Sequence, residues 1–353
     1  MAWVMTQLAV FAAVAAALGG AVGDAPPSSL AAAVTRVGTP PVLAHLTQHR
    51  RDAIEGSNPS LAQKVLAYDA WVSAHGGPPA DLILGSSRSV QLDPQEIQQR
   101  TGATAFNAGI TNAAVRDLLA MASYADLRTP GQLPRLVVLL DIEMFGRRVP
   151  TQRVLDYQHR IVATRAACAD PAPCRGAWIE AAGAIARDAR ARQNGGRPYR
   201  ATQRADGRQL RSRLAAWEAR GIDLSAIRRR RIAIRVRSYG PGRFDHLYVE
   251  QRQAFERLVT LANARGVQPV FVLTPMHPDC IRICGRAGWT TRRRQVQAFL
   301  RREAGQRDFT WVDLSYPATW RGSGASFYDE VHLRPAGASL VVQELIARGL
   351  LGH

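Results

Sequence analysis

The sequence is short of lysine, acidic residues and cysteine. Lys64 is its only lysine, and 28 Asp and Glu stand against 46 Lys and Arg, so the formal net charge is +18 and arginine carries the excess. Only 21% of the 353 residues are charged and 46% are hydrophobic, which excludes a disordered polyelectrolyte and provides material for one large domain or two small ones. No internal repeat and no set of residues at zinc-ligand spacing occurs, so we expect no metal and no cofactor.

The four cysteines form two close pairs, Cys168/Cys174 and Cys280/Cys284. Neither pair is a C-x-x-C motif. An even number of cysteines in an exported chain favours two local disulfides, one within each pair. Four unpaired small core residues are the alternative that a cytosolic protein would favour.

The N-terminal segment, residues 1–23, is mostly apolar and ends in small residues that include Ala21 and Gly23. This pattern is typical of a signal peptide, although its first seven residues contain no Lys or Arg, and an uncleaved membrane anchor is the alternative. Residues 24–60 are rich in Pro, Ala and Ser, which predicts a linker. We therefore expect a protein that is exported or anchored by its N-terminal segment.

From residue 61 onward, short apolar strands alternate with helices. Strands are predicted over 81–85, 104–107, 135–141, 267–273 and 309–314, and helices over 61–75, 113–127, 250–265, 290–304 and 335–350. Apolar strands separated by helices predict an α/β domain, with a parallel sheet covered by helices on both faces. Ligands bind such sheets at the carboxyl ends of the strands. The predicted domain spans residues 61–353 and is interrupted by residues 146–243.

The interrupting segment is rich in arginine and poor in predicted strands, which indicates a helical insertion. Between residues 147 and 243, 23 arginines stand against seven acidic residues, so nearly all of the net charge lies here. The densest run is Arg228, Arg229, Arg230 and Arg231. A polyanionic glycan, anionic lipid headgroups or an acidic partner would suit this charge, and a solvated helix face is the alternative. No nucleic-acid-binding motif occurs, so nucleic acid is not an expected partner.

Candidate catalytic residues lie at two predicted loops. Ser87 follows the first strand in Gly85-Ser86-Ser87-Arg88, and a serine in a tight strand-to-helix turn is pushed outward. On the loop before the last helix, Asp329 precedes His332 by three residues, so its carboxylate can reach Nδ1 of the ring. A nucleophile, a base and an orienting acid are the groups that activate a serine for acyl transfer.

Four short segments, taken in order, resemble the SGNH/GDSL hydrolase superfamily in its divergent Gly-Ser-Ser branch. They are Gly85-Ser86-Ser87, Asn107-Ala108-Gly109-Ile110-Thr111-Asn112, Asp141-Ile142-Glu143 and Asp329-Glu330-Val331-His332. The resemblance implies a flavodoxin-like, three-layer α/β/α domain with a five-stranded, mostly parallel sheet. It also implies that Ser87 is the nucleophile, His332 the base and Asp329 the orienting acid. The branch includes exported enzymes that acetylate polysaccharides or help to D-alanylate teichoic acids.

The same resemblance implies an oxyanion hole built from the second and third segments. The second segment contributes Gly109, and Asn112 stands where the family usually has a glycine N–H donor. The third segment usually supplies an asparagine, but here residues 141–143 carry carboxylates, which cannot donate to an oxyanion and would repel it. The side chains of Asn107 and Asn112 are the nearest replacement donors, and Arg88 is a candidate ligand for an anionic substrate group.

The sequence therefore predicts a serine ester hydrolase or O-acyltransferase that acts on an acyl ester of an exported carbohydrate or cell-envelope polymer. The alternative is a non-catalytic module of the same fold that binds a polyanionic glycan or envelope partner through its basic insertion.

Overall fold

A parallel, five-stranded sheet forms the centre of the fold. The computed structural model describes residues 61–146, 161–163, 202–203, 205–210, 212–239 and 244–352. The strands are β1 (Asp81–Gly85), β2 (Ala105–Asn107), β3 (Arg135–Leu140), β4 (Val270–Leu273) and β5 (Thr310–Asp313). Their spatial order is β2-β1-β3-β4-β5, and every neighbouring pair is parallel. This is the flavodoxin-like order, so the expected fold class is confirmed, with all of the strands parallel rather than most.

Helices alternate with the strands along the chain. In order they are α1 (Leu61–His75), α2 (Pro94–Thr101), α3 (Val115–Arg128), α4 (Ser212–Ala219), α5 (Leu224–Val236), α6 (Val249–Asn263), α7 (Pro278–Arg286), α8 (Trp289–Ala304) and α9 (Pro335–Ala347). The five predicted helices correspond to α1, α3, α6, α8 and α9, with ends that differ by at most three residues. The helices α2 and α7 were not predicted because each buries only two side chains, which is too few for an apolar period.

The helices cover both faces of the sheet because the strand side chains alternate between two cores. Leu82 and Leu84 of β1 point into a core that includes side chains of α1, α3, α6 and α8. Ile83, between them, points to the opposite face, where the core includes side chains of α2 and α9. Both cores are apolar, which explains why the strands are apolar along their whole length. The result is a three-layer α/β/α arrangement.

The described part of the insertion contains a short hairpin in addition to the expected helices α4 and α5. Residues 202–203 and 209–210 pair as antiparallel strands, and the turn between them reaches the outer strand β2. There the N–H of Asn107 donates to the carbonyl oxygen of Asp206 at 2.9 Å. The buried ammonium of Lys64, from α1, donates to the carbonyl oxygens of Asn107 and Gly207. The hairpin turn is therefore tied to the end of β2.

Two other expectations concern the cysteines and the N-terminus. Cys280 and Cys284 are buried, unbonded thiols in α7 with their sulfur atoms 3.1 Å apart, whereas a disulfide needs about 2.05 Å. The structure thus does not contain the expected disulfide bond between them.

Residues 1–23, residues 24–60 and the Cys168/Cys174 pair lie outside the described residues. Among the helices that the structure describes, none is long and apolar enough to cross a membrane.

Candidate active site

The turn after β1 presents Ser87 at the carboxyl edge of the sheet. Gly85, the last residue of β1, has a φ of 155°, and a Cβ there would lie 2.7 Å from the hydroxyl oxygen of Ser89. The hydroxyl and the N–H of Ser89 both donate to the carbonyl oxygen of Ser86, at 2.8 and 3.0 Å, which closes the turn. Ser86, Arg88 and Ser89 are buried, while Ser87 is half-buried. The turn therefore directs the Ser87 hydroxyl out of the fold, as the sequence predicts.

Ser87, His332 and Asp329 form a continuous hydrogen-bonded series. The Ser87 oxygen lies 2.9 Å from Nε2 of His332, and Nδ1 of the same ring lies 2.7 Å from Oδ2 of Asp329. Because an ionised carboxylate only accepts, Nδ1 carries the proton, and Nε2 is left to accept from the Ser87 hydroxyl. The structure thus brings the three predicted catalytic side chains together in the order that nucleophile activation requires.

The carboxylate of Asp329 is held by its own loop as well as by the ring. Its Oδ1 accepts hydrogen bonds from the backbone N–H groups of Val331 and His332, at 3.0 and 2.8 Å. Burial raises the pKa of Asp329, but the attraction and hydrogen bond of His332, the charge of Arg231 and the N–H of Val331 outweigh it. The pKa of Asp329 therefore lies well below its usual value, and the acid is ionised whenever His332 acts as a base.

A small polar cavity opens beside Ser87. It has a volume of about 100 Å³ and is bordered by Ser87, His332 and Asn112. Typical ligand pockets enclose about 300–1,000 Å³, so this one has room for a small group only. Its lining also includes three arginines and two carboxylates: Arg88, Arg231, Arg235, Asp141 and Glu143.

Of the residues predicted for the oxyanion hole, Asn112 borders the cavity, and Asn107 and Gly109 do not. The backbone of Asn112 is left-handed, with a φ of 58°, a conformation that asparagine adopts more readily than most residues. The buried amide of Asn107 donates to the carbonyl oxygens of Ser89 and Leu92, both at 2.9 Å. Its Oδ1 accepts the N–H of Gly109 at 3.0 Å. The Asn107 amide therefore joins its own loop to the turn after β1, and the N–H of Gly109 is bonded within its own loop.

Arg88 is also committed to partners within the fold. Its guanidinium donates to Thr274 at 3.0 Å and to Glu143 at 2.9 Å, and its Nε lies 3.4 Å from Asp141. The side chain is only 6% exposed. Arg88 thus borders the cavity as a buried counter-charge, a different role from the free ligand for a substrate anion that the sequence suggested.

The carboxylates of the third segment, Asp141 and Glu143, are paired with arginine and hydroxyl groups within the fold. Oε1 of Glu143 accepts from Arg88 and Arg235, both at 2.9 Å, and from the hydroxyl of Tyr239 at 2.5 Å. Burial raises the pKa of Glu143, but the two guanidinium charges and the Tyr239 hydroxyl hold it well below its usual range. Asp141 accepts from the Thr274 hydroxyl at 2.9 Å. The expected repulsion of an oxyanion is therefore countered by arginine.

The arginine run of the insertion lies on α5, and its members point in different directions. Arg229 is 70% exposed and Arg230 is exposed, whereas Arg228 is 22% exposed and lies 3.6 Å from Asp279. Arg231 points inward and contacts Asp329 and Glu330, on the loop before α9. Only part of this run is therefore positioned to meet a partner outside the protein.

The sequence analysis did not identify three residues that shape the site. They are Arg231 and Arg235, which contact the loop that carries Asp329 and His332, and Glu330, which belongs to that loop. The signals that point to them are modest. Arg231 and Arg235 are four residues apart, the spacing that places two side chains on one face of a helix. Glu330 directly follows Asp329. Comparison of the chain with protein-family models and with curated proteins gave no match.

Proposed function

We propose that this chain is an SGNH-type serine enzyme that moves an acyl group from an oxygen ester to water or to a sugar hydroxyl. The observation that carries the proposal is the hydrogen-bonded series of Ser87, His332 and Asp329, with contacts of 2.9 and 2.7 Å. The short motifs that resemble the superfamily support it. Three of them lie at the carboxyl ends of the neighbouring parallel strands β2, β1 and β3, where such folds place their sites, and the fourth meets the first through the contact of His332 with Ser87.

The reaction has two halves that use the same residues. In the first, His332 Nε2 takes the Ser87 proton while the serine oxygen bonds to the ester carbonyl carbon. The tetrahedral intermediate collapses, the ester C–O bond breaks, and the leaving oxygen takes the proton from His332. In the second half, water or a sugar hydroxyl gives its proton to His332 and attacks the acyl carbon. The second tetrahedral intermediate collapses, the bond from the acyl carbon to the Ser87 oxygen breaks, and His332 returns the proton to that oxygen. Asp329 stabilises the imidazolium in both halves.

The cavity favours a short acyl group. A volume of about 100 Å³ holds only a few non-hydrogen atoms, and its ionic lining does not suit a long aliphatic chain. The predicted signal peptide or anchor favours an exported substrate, so an acylated carbohydrate or cell-envelope polymer is the substrate class that we propose. Whether water or a sugar accepts the acyl group depends on how the second half is shielded from solvent.

Labelling with a fluorophosphonate tests the proposal. The probe phosphonylates a serine that is activated by a neighbouring base, and intact-mass and peptide analysis then identify the labelled residue. We expect one adduct on Ser87 in the wild-type protein, and none in Ser87→Ala or His332→Ala. Ser323→Ala is the matched control, because Ser323 is exposed and its hydroxyl caps a short turn outside the site.

Two labelling results would overturn the proposed function. Labelling that is equal in the wild-type protein, Ser87→Ala and His332→Ala would overturn the proposal, as would its absence from the wild-type protein. Hydrolysis of p-nitrophenyl acetate and p-nitrophenyl octanoate by the wild-type protein then tests the acyl preference. We expect the acetyl ester to react faster, and faster reaction of the octanoyl ester would contradict the argument from the cavity.

A further inference from the structure

Helix α5 of the insertion packs against the loop that carries the catalytic acid. Arg231 and Arg235 lie one helical turn apart on the face of α5 that meets this loop. Arg231 donates to Oε2 of Glu330 at 2.6 Å, and Arg235 donates to Oε1 at 2.9 Å. Each oxygen of the Glu330 carboxylate therefore has its own arginine. The guanidinium of Arg235 also donates to Glu143, so that the same helix is tied to the loop after β3.

One of these arginines reaches the catalytic acid itself. The Nε atom of Arg231 lies 3.4 Å from Oδ2 of Asp329, the oxygen that accepts from Nδ1 of His332 at 2.7 Å. The Nε atom of Arg231 thus lies within about 6 Å of Nδ1 of the imidazole ring. Asp329 is only 1% exposed and Arg231 is 31% exposed, so solvent screens this contact only in part.

We propose that Arg231 is a positioning residue of the active site, through which the insertion holds Asp329 on His332 and tunes the pH at which His332 acts as a base. The inference rests on the proposed function, because it assigns a role to Arg231 in the activation of Ser87. It predicts that the basic insertion contributes to catalysis from within the site, in addition to whatever its exposed arginines bind.

The expected direction of the shift in pH dependence follows from the charges around the imidazole ring of His332. A cation near His332 opposes its protonation, and an anion favours it. The charged and titratable side chains that face the Asp329–His332 pair come from the turn after β1, the loop after β3, α5, the start of α7 and the catalytic loop. They are Arg88, Asp141, Glu143, Arg228, Arg231, Arg235, His277, Tyr328, whose ring stacks on that of His332, and Glu330. Arg231 is the cation that contacts Asp329 directly, so its removal changes the balance of charge around the ring most.

The test is the pH dependence of the second-order rate of Ser87 phosphonylation. In Arg231→Gln we expect a slower reaction, with the midpoint of the acidic limb raised by about 0.5–1 pH unit, since a partly screened charge at this distance has an effect of that order. Arg231→Lys keeps the charge and should restore most of the midpoint. Arg229→Gln is the matched control, because Arg229 lies on the same helix and is 70% exposed. It should leave rate and midpoint unchanged.

Glu330→Gln supplies a second variant with the opposite sign. It removes an anion beside the ring and leaves Asp329 as the acidic partner of Arg231, so the acidic midpoint should fall rather than rise. If Arg231→Gln does not fold, Arg231→Met is the second neutral variant. It too should raise the acidic midpoint, whereas a role limited to tethering α5 predicts slower reaction without a change of midpoint.

Two failures can be told apart. If the wild-type protein is not phosphonylated at Ser87, the proposed function fails. If the wild-type protein reacts at Ser87 but the acidic midpoint of the neutral Arg231 variant equals that of the wild type, the proposed function stands and the role of Arg231 is overturned, whatever Glu330→Gln shows. Opposite shifts in the two variants support the proposal.

Discussion

Lys64 should make the stability of this protein rise with pH above neutrality. Its side chain is fully buried, and its ammonium donates to two backbone carbonyl oxygens, of Asn107 and Gly207. Burial lowers the pKa of Lys64 from 10.5 to about 7, and the nearby charge of Asp206 offsets only part of this effect. Between these two pH values the unfolded chain keeps the proton that the folded protein releases, so the unfolded state binds more protons.

The size of the Lys64 contribution to the free energy of unfolding follows from the difference between its folded and unfolded pKa values. Where the unfolded state binds one proton more, the free energy of unfolding rises by up to about 1.4 kcal/mol for each pH unit. Between about pH 7.5 and pH 9, the Lys64 amine is largely neutral in the folded protein and largely charged in the unfolded chain. Across that window its contribution to stability should grow by about 1–2 kcal/mol. Below about pH 6 both states are protonated and the dependence disappears.

Urea unfolding of the wild-type protein and Lys64→Met at the two pH values measures this contribution. The variant keeps a long apolar stem but has no amine to titrate. Its absolute stability should fall, because two buried carbonyl oxygens lose their donor. The decisive quantity is the increase in the free energy of unfolding between about pH 7.5 and pH 9. It should be about 1–2 kcal/mol larger in the wild-type protein than in the variant. An equal change in both proteins would refute the reasoning, since other titrating groups contribute to both alike.

Two further predictions concern the catalytic acid and the hairpin turn. Asp329→Asn should keep the fold and slow the phosphonylation of Ser87 by roughly 10⁴-fold, the loss expected when the orienting acid of a serine triad is neutralised; a loss below about tenfold would contradict its role. Gly207→Ala should lower the free energy of unfolding by about 1–3 kcal/mol more than Gly221→Ala, as measured in urea. Both glycines have a positive φ, but only at Gly207 would a Cβ lie 2.2 Å from a carbonyl oxygen, that of Asn107, so equal losses would contradict the contact.

The sheet and the triad could be predicted because their signals are local. A strand buried on both faces is apolar along its whole length, so residues 81–85 stand out and form β1 with the expected bounds. Ser87 follows that strand within two residues, and Asp329 and His332 share one short loop. Once the strands are known to be parallel, their carboxyl ends lie at one edge, and the distances between these side chains follow from the fold.

The surroundings of the triad could not be predicted, because they depend on how distant segments are oriented when they pack. Arg231 belongs to a run of four arginines, and which of them turns inward depends on the rotation of α5 about its axis. The contacts of the Asn107 amide could not be predicted for a similar reason. Its amide is satisfied by the carbonyl oxygens of Ser89 and Leu92, and nothing in the local sequence shows that the turn after β1 passes beside it.

The position of Arg231 changes how the charge of the insertion should be tested. The sequence suggests neutralising residues 228–231 together to look for polyanion binding. Such a variant would also remove the arginine that contacts Asp329 and Glu330, so a loss of function would have two possible causes. Replacement of Arg229 and Arg230 alone by glutamine removes two exposed charges and leaves the contacts of Arg231 with Asp329 and Glu330 intact. Weaker retention of that variant on an anionic polysaccharide, with unchanged phosphonylation of Ser87, would separate an external role of the insertion from its role at the active site.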